Sequence, residues 1–213
     1  SAASDVYKRQ LMYTAFEVTG ASISGIRAAL DAKGIEDVNV VGWAGDGGTA
    51  DIGIQALSGA ADRGDDVIYI MYDNEAYMNT GIQRSGSTPP GTWTTTTPVG
   101  KTQYWEQSRK KNMIEIMAAH GIPYTATVSV GYPEDMIQKL RKAKDIKGTK
   151  YIQIYAPCPT GWRMPPEKTI DICRLAVQTG IYPLYEVENG VYTVSIKPKE
   201  LKPLKEYTSI QGR

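Results

Sequence analysis

Apolar positions along this 213-residue chain recur in short blocks whose period alternates between helical and extended. Residues 21–34, ASISGIRAALDAKG, space Ile23, Ile26, Ala29 and Leu30 at helical intervals and stop at Gly34, which predicts an amphipathic helix. VNVVGWAG (38–45) is a short apolar run closed by glycine, the mark of a buried parallel strand. A helix is predicted over 49–64, capped by Thr49 and ended by Gly64, and a second buried strand over 67–72, VIYIMY. Residues 73–102 show neither period and are rich in Gly, Pro, Ser and Thr; a loop this long in a compact domain is expected to be functional or disordered. Beyond it the pattern predicts a helix over 103–121, a strand over 124–130, a helix over 133–144 opened by Pro133, and a strand over 150–157. A helix over 166–180 and a hairpin over 182–195, turning at Asn189-Gly190, complete the series. Repeated β-α-β order means an open α/β fold with a mainly parallel sheet and helices on both faces. Residues 11–213 are expected to form one domain. Ser1 to Gln10, SAASDVYKRQ, joins no pattern that follows, resembles translated adaptor sequence, and is set aside.

Composition narrows the function classes. With 24 basic and 23 acidic residues there is no electrostatic reason to expect nucleic acid as a partner. No apolar run approaches the roughly 20 residues needed to span a bilayer, so no membrane role is expected. Two cysteines, Cys158 and Cys173, suggest no disulfide framework and make the cytoplasm the expected compartment. The single histidine, His120, excludes a multi-histidine metal centre and removes the usual general base; placed before Gly121, it reads as a cation at a helix C-terminus. Cys173, on a helical apolar face with Ile170 and Val177, reads as core, and Asp51 as a complement to a helix dipole. The Lys/Arg groups at 109–111 and 139–147 lie on helical patterns and read as solvated faces. Trp93, Tyr104 and Trp105 either line a subunit contact or cover core.

Ligands of open α/β sheets gather at the C-terminal ends of strands. Two such ends are chemically loaded: GDGG after the 38–45 strand, and DNEAYMNTG after the 67–72 strand. One reading is a dinucleotide-binding turn, since Gly45 to Ala50 fits G-x-G-x-x-A and Asp73 stands where a ribose-binding acid would. That reading leaves Asp46 pointing a negative charge at a pyrophosphate. The other reading supplies a cation. Mg²⁺ takes about six oxygens and is often held by one or two protein groups plus phosphates. Asp46, the Asn74 side-chain carbonyl and the Ala76 backbone carbonyl offer three oxygens, while the Gly47 and Gly48 amides approach the diphosphate.

GDG followed by 26 residues and Asn74 resembles the thiamine diphosphate motif. The surrounding stretches GDGGTADIGIQALSGAADRG, YDNEAYMNTGIQRSGSTPPGTWTTTTPVGK and YAPCPTGW together resemble the β subunit of 2-oxoacid:ferredoxin oxidoreductases, above all pyruvate synthase, from about residue 14 onward. The resemblance implies a transketolase-like thiamine diphosphate-binding fold. It implies that Asp46, Asn74 and Ala76 (through its carbonyl) bind Mg²⁺, that Gly45, Gly47, Gly48 and Thr49 cradle the diphosphate, and that Asn79, Thr80 and Gly81 lie near the thiazolium and substrate. Asn79 is the candidate catalytic residue among these. Cys158 matches one ligand of a [4Fe–4S] cluster whose other three ligands lie upstream in the family, in a region this chain lacks. The chain also stops at QGR where family members run on, so truncation at both ends is expected. The implied activity is oxidative decarboxylation of pyruvate, or its reverse, with coenzyme A as acyl acceptor and ferredoxin as electron acceptor. Implied partners are α, γ and δ subunits, one of them supplying the carboxylate that activates the cofactor. A branched-chain 2-oxoacid as substrate, or a nucleotide-binding module inactive alone, are the alternatives.

Overall fold

The computed structural model describes residues 11–102 and 104–212, so the segment 1–10 lies outside the described residues. Six strands form one sheet in the order β1-β2-β4-β3-β5-β6. They are β1 (Val40–Gly45), β2 (Val67–Asp73), β3 (Tyr124–Ser129), β4 (Lys150–Tyr155), β5 (Leu184–Glu188) and β6 (Val191–Ile196). The first four pair in parallel, and β5 and β6 extend the sheet antiparallel as the expected hairpin. Its turn places Asn189 and Gly190 at φ 48° and 80°, the left-handed pair that a two-residue hairpin requires.

The apolar runs of β2, β3 and β4 are explained by cover on both faces. Alternate residues of β2 enter different cores: Val67, Tyr69 and Met71 pack with Leu57 and Met113, whereas Ile68 and Ile70 pack with Tyr124, Ile152 and Leu140. The first core is roofed by α1 (Thr19–Ala32), α2 (Ile54–Arg63) and α3 (Met113–Ala119), the second by α4 (Pro133–Asp145). A third core gathers under α5 (Thr169–Gln178) and the short α6 (Leu204–Thr208), and Cys173 is fully buried there as expected; its supposed neighbour Ile170 is 41% exposed. Gly64 ends α2 in the left-handed conformation, and His120 caps the C-terminus of α3.

Two expectations fail here. The predicted helix over 103–121 is helical only from Met113, where the Asn112 side chain accepts the Glu115 N–H (3.3 Å). Upstream, residues 105–111 are strapped onto the long loop instead: Glu106 N donates to Thr92 O (3.0 Å), Gly91 N to Glu106 O (2.7 Å) and Lys111 N to Gly86 O (2.8 Å). Trp105 sits at φ 47°, incompatible with a helix. Nor are the basic groups all solvated. Lys139, 3% exposed, donates to Asp135, Thr127 O and Ser195, and Lys142 bridges Glu186 and Glu188. Tyr104 and Trp105 are exposed, so neither covers core, and Trp93 stacks under the Arg163 guanidinium (4.9 Å).

Candidate metal and diphosphate site

Parallel register aligns the strand ends that carry the chemistry. Gly45 pairs with Tyr72 and Asp73 with Tyr155, so the turns after β1, β2 and β4 meet at one edge. After Gly45 the chain enters helical backbone at once, passing through a π-helical turn (Gly48–Ile52) before α2. Such a bulge is often found at functional sites.

Asp46 is 1% exposed. A buried carboxylate must find donors or a cation. Ser85 Oγ donates to Oδ2, and the Asn74 side-chain amide lies 2.8 Å from Oδ1. The same end of that amide is 2.7 Å from Ala76 O. With nitrogen facing them, Asn74 donates to both; with oxygen facing them, three oxygens converge, which only a cation can hold. An octahedral Mg²⁺ with bonds of 2.0–2.1 Å separates adjacent ligands by about 2.9 Å. Without a metal the Asn74 amide can satisfy both Asp46 and Ala76 O, and its separations from each match those between adjacent ligands of such an ion. Among the described residues no three His, Cys, Asp or Glu side chains form a metal cluster, so a centre here would rest on one carboxylate, one amide and one backbone carbonyl. That hard, sparse donor set suits Mg²⁺, which keeps positions for phosphate oxygens and water. Burial, and then the charge of Asp73, push the Asp46 carboxyl well above the usual range, while the Ser85 hydrogen bond opposes them. A bound divalent cation reverses that balance.

The cleft beside these groups is lined by Gly45, Gly47, Gly48, Tyr72, Asn79 and Thr80, together with Phe16 and Tyr77. Asn79 and Thr80 are exposed at its rim, and Gly81 follows at φ 118°. A Cβ on Gly47 would run into the Tyr77 ring, and one on Gly48 would sit 3.1 Å from Phe16 O. Tyr77 stacks on Phe16 and donates to Gly47 O (3.1 Å). The close approach at Gly47 is thus made by an aromatic ring of the chain itself.

Thr49 is a correction. Its fully buried hydroxyl donates to Gly45 O (2.7 Å) and meets Tyr69 Oη (3.1 Å), so it neither caps α2 nor faces the cleft with its side chain. Asp51 is more than a dipole complement: it accepts from Gly86 N (2.8 Å), Tyr77 Oη (3.2 Å) and Lys111 Nζ (2.9 Å). Asp73 does not serve as a ribose acid. It is fully buried and accepts from Gln153 Nε2 (2.6 Å), Lys110 Nζ (2.7 Å) and Glu75 N (3.1 Å), which removes the support for the dinucleotide reading.

Cys158 lies half-buried after β4, where Gly161 N donates to its Sγ (3.3 Å) and Gly161 packs against Met78 of the cleft. Trp162, in the same turn, donates its indole N–H to Asn74 O (2.9 Å). Ser85, Lys110 and Trp162 make contacts with the candidate site that periodicity does not disclose. Ser85 and Trp162 do fall within stretches that carry the family resemblance, Trp162 in YAPCPTGW, whereas Lys110 falls in none.

Residues 4–154 match the family model described as thiamine pyrophosphate enzyme, C-terminal TPP binding domain. The chain is 61% identical over 210 residues to ketoisovalerate oxidoreductase subunit VorB of Pyrococcus abyssi, covering 95% of this chain and 68% of that protein. It is 57% identical over 202 residues to pyruvate synthase subunit PorB of Methanothermobacter thermautotrophicus, covering 95% of this chain and 70% of that protein. A solved 2-oxoglutarate:ferredoxin oxidoreductase from Magnetococcus marinus, with 2-oxoglutarate, coenzyme A and succinyl-CoA bound, superposes with TM-score 0.62 at 23% identity, over 87% of this chain and 64% of that one, a likeness of fold. The chain belongs to the β subunits of 2-oxoacid:ferredoxin oxidoreductases and carries their thiamine pyrophosphate-binding domain.

Proposed function

We propose that this chain holds Mg²⁺ through Asp46 Oδ1, the Asn74 side-chain oxygen and Ala76 O, and through that ion the diphosphate of thiamine diphosphate. The observation that carries this reading is the Asn74 amide end placed 2.8 Å from Oδ1 of the buried Asp46 and 2.7 Å from Ala76 O. Gly45, Gly47 and Gly48, which line the cleft, would border the diphosphate, and Asn79 and Thr80 at its rim would face the thiazolium. When bound, the cofactor supplies the nucleophile and electron sink for decarboxylation of a 2-oxoacid. The chain's own part is to anchor and orient it, which requires no histidine base. Cys158, beside Met78, is proposed as one ligand of a [4Fe–4S] cluster in the assembled enzyme, which would hold electrons bound for ferredoxin. The proposed reaction consumes pyruvate and coenzyme A in an assembly with α, γ and δ subunits, in the cytoplasm. The described residues include no helix long and apolar enough to cross a membrane. A branched-chain 2-oxoacid is the second reading, favoured by the higher identity to the ketoisovalerate subunit, 61% against 57%.

Isothermal titration of thiamine diphosphate into the chain, with and without Mg²⁺, tests the site. Binding should require Mg²⁺ and be abolished by Asp46→Ala with the far-UV circular dichroism unchanged. Undiminished binding by the variant would refute the assignment. Rates with pyruvate and ketoisovalerate in the assembled oxidoreductase decide between the two substrates.

A further inference from the structure

Glu75 stands between two of the proposed metal ligands, Asn74 and Ala76, in left-handed backbone at φ 71°. Side chains other than glycine adopt that region only where the surroundings hold them there. The Glu75 side chain folds inward, 3% exposed, with Oε1 3.0 Å from Lys110 Nζ, and the same ammonium is 2.7 Å from Asp73 Oδ2. The backbone of the turn is fastened separately: Glu75 N donates to Asp73 Oδ1 (3.1 Å), Thr88 Oγ1 donates to Glu75 O (2.6 Å), and Trp162 Nε1 donates to Asn74 O (2.9 Å). The next residue, Lys111, serves the other half of the site. Its Nζ lies 2.9 Å from Asp51 Oδ1 and 2.5 Å from Ala50 O, in the π-helical turn that follows Asp46. Lys110 and Lys111 thus grip the two turns that deliver the ligands, one each.

Resting on the metal reading above, we infer that Lys110 and Lys111 are positioning residues for the metal centre. Lys110 holds Glu75 in the conformation that turns Ala76 O toward the Asn74 amide, and Lys111 fixes the Asp46-bearing turn against the same segment. The effect of Lys110 passes through one backbone torsion. Glycine at 75 should therefore make Lys110 dispensable for metal binding, because glycine takes positive φ without help.

Mn²⁺ is a direct probe, since free and bound ion are told apart by electron paramagnetic resonance. Titrations use the 213-residue chain with saturating thiamine diphosphate, with thermal melting of each variant alongside. Lys110→Met should raise half-saturating Mn²⁺ by about tenfold or more, the size of effect typical when the support of a metal ligand is removed. Adding Glu75→Gly to that variant should restore it most of the way. Lys111→Met should weaken binding as well, and Glu75→Gly should not rescue it. A second pair leaves Lys110 in place: Glu75→Gly should bind Mn²⁺ nearly as the parent does, and Glu75→Ala should bind it markedly less well. Parent-like binding by Lys110→Met, or equal binding by Glu75→Gly and Glu75→Ala, overturns the positioning role while leaving the metal reading intact. A parent chain that takes up no Mn²⁺ with the cofactor overturns both.

Discussion

Ser85→Ala removes one hydroxyl, 39 residues along the chain from the carboxylate it serves. Ser85 is fully buried; its Oγ donates to Asp46 Oδ2 and accepts the Ser87 N–H (3.1 Å). Asn74 lies beside Oδ1, not Oδ2, so on the proposed metal reading the hydroxyl would orient Asp46 without competing for the oxygen that would face the ion. A hydrogen bond to a charged group contributes about 1.5–3 kcal/mol, and its loss leaves that oxygen unpaired in a buried site. At about 1.4 kcal/mol per factor of ten, the Mg²⁺ concentration needed for thiamine diphosphate binding should rise roughly 10- to 100-fold. The pH dependence has a definite sign. A protonated Asp46 cannot ligate, so Mg²⁺ affinity falls as pH is lowered through its pKa. Ser85 draws that pKa down against burial and Asp73, so its removal should move the fall-off to higher pH. Calorimetric titration of the cofactor at a series of Mg²⁺ concentrations and pH values measures both effects. A Mg²⁺ requirement within about twofold of the parent's, with an unmoved pH curve, would refute the reasoning.

Asp66 offers a stability prediction away from the site. Burial alone would raise its carboxyl, but Lys150 (2.6 Å) and Lys147 (3.1 Å) more than offset that and hold it below the usual range. A depressed carboxylate stabilises the fold above its unfolded pKa of about 3.9, and the contribution is lost as pH falls through the folded value. Asp66→Asn should therefore cost about 1–3 kcal/mol at neutral pH, mostly by orphaning the buried Lys150, with the gap from the parent closing in acid; a gap independent of pH in denaturant titrations would contradict this. The two cysteines should separate by labelling. Burial pushes the Cys173 thiol up to about 11 and leaves it fully covered, so only half-buried Cys158 should react with a thiol reagent in the native chain, Cys173 following on unfolding. Two thiols reacting at one rate would count against the placement of both.

Much of the architecture was legible because its causes are local. The apolar run at 67–72 and the helical spacing of Ile23, Ile26 and Leu30 report burial by near neighbours, and β2 and α1 lie there; the run at 38–45 does give β1, but as an edge strand with Val41 and Trp43 exposed, not the buried strand its composition suggests. Asn189-Gly190 declared its turn because positive φ is a property of the residues themselves. Asp46 and Asn74 were legible as a pair because one helix and one strand separate them, a spacing that parallel register turns into contact. What only the tertiary structure decided depends on partners remote in sequence. Residues 104–112 leave the helix that their polar and apolar pattern allows, since Glu106 and Lys111 form backbone bonds with the long loop and Lys110 answers the charges of Asp73 and Glu75. Thr49 has a capping residue's chemistry, yet continuous helical backbone from Asp46 puts its hydroxyl within reach of the Gly45 carbonyl instead. Ser85 lies in a stretch without period, and a hydroxyl whose partner is 39 residues away leaves no trace in local pattern. Hydrophobic period records which face of an element is buried; which polar group meets which other inside the fold is set by how the strand ends come together.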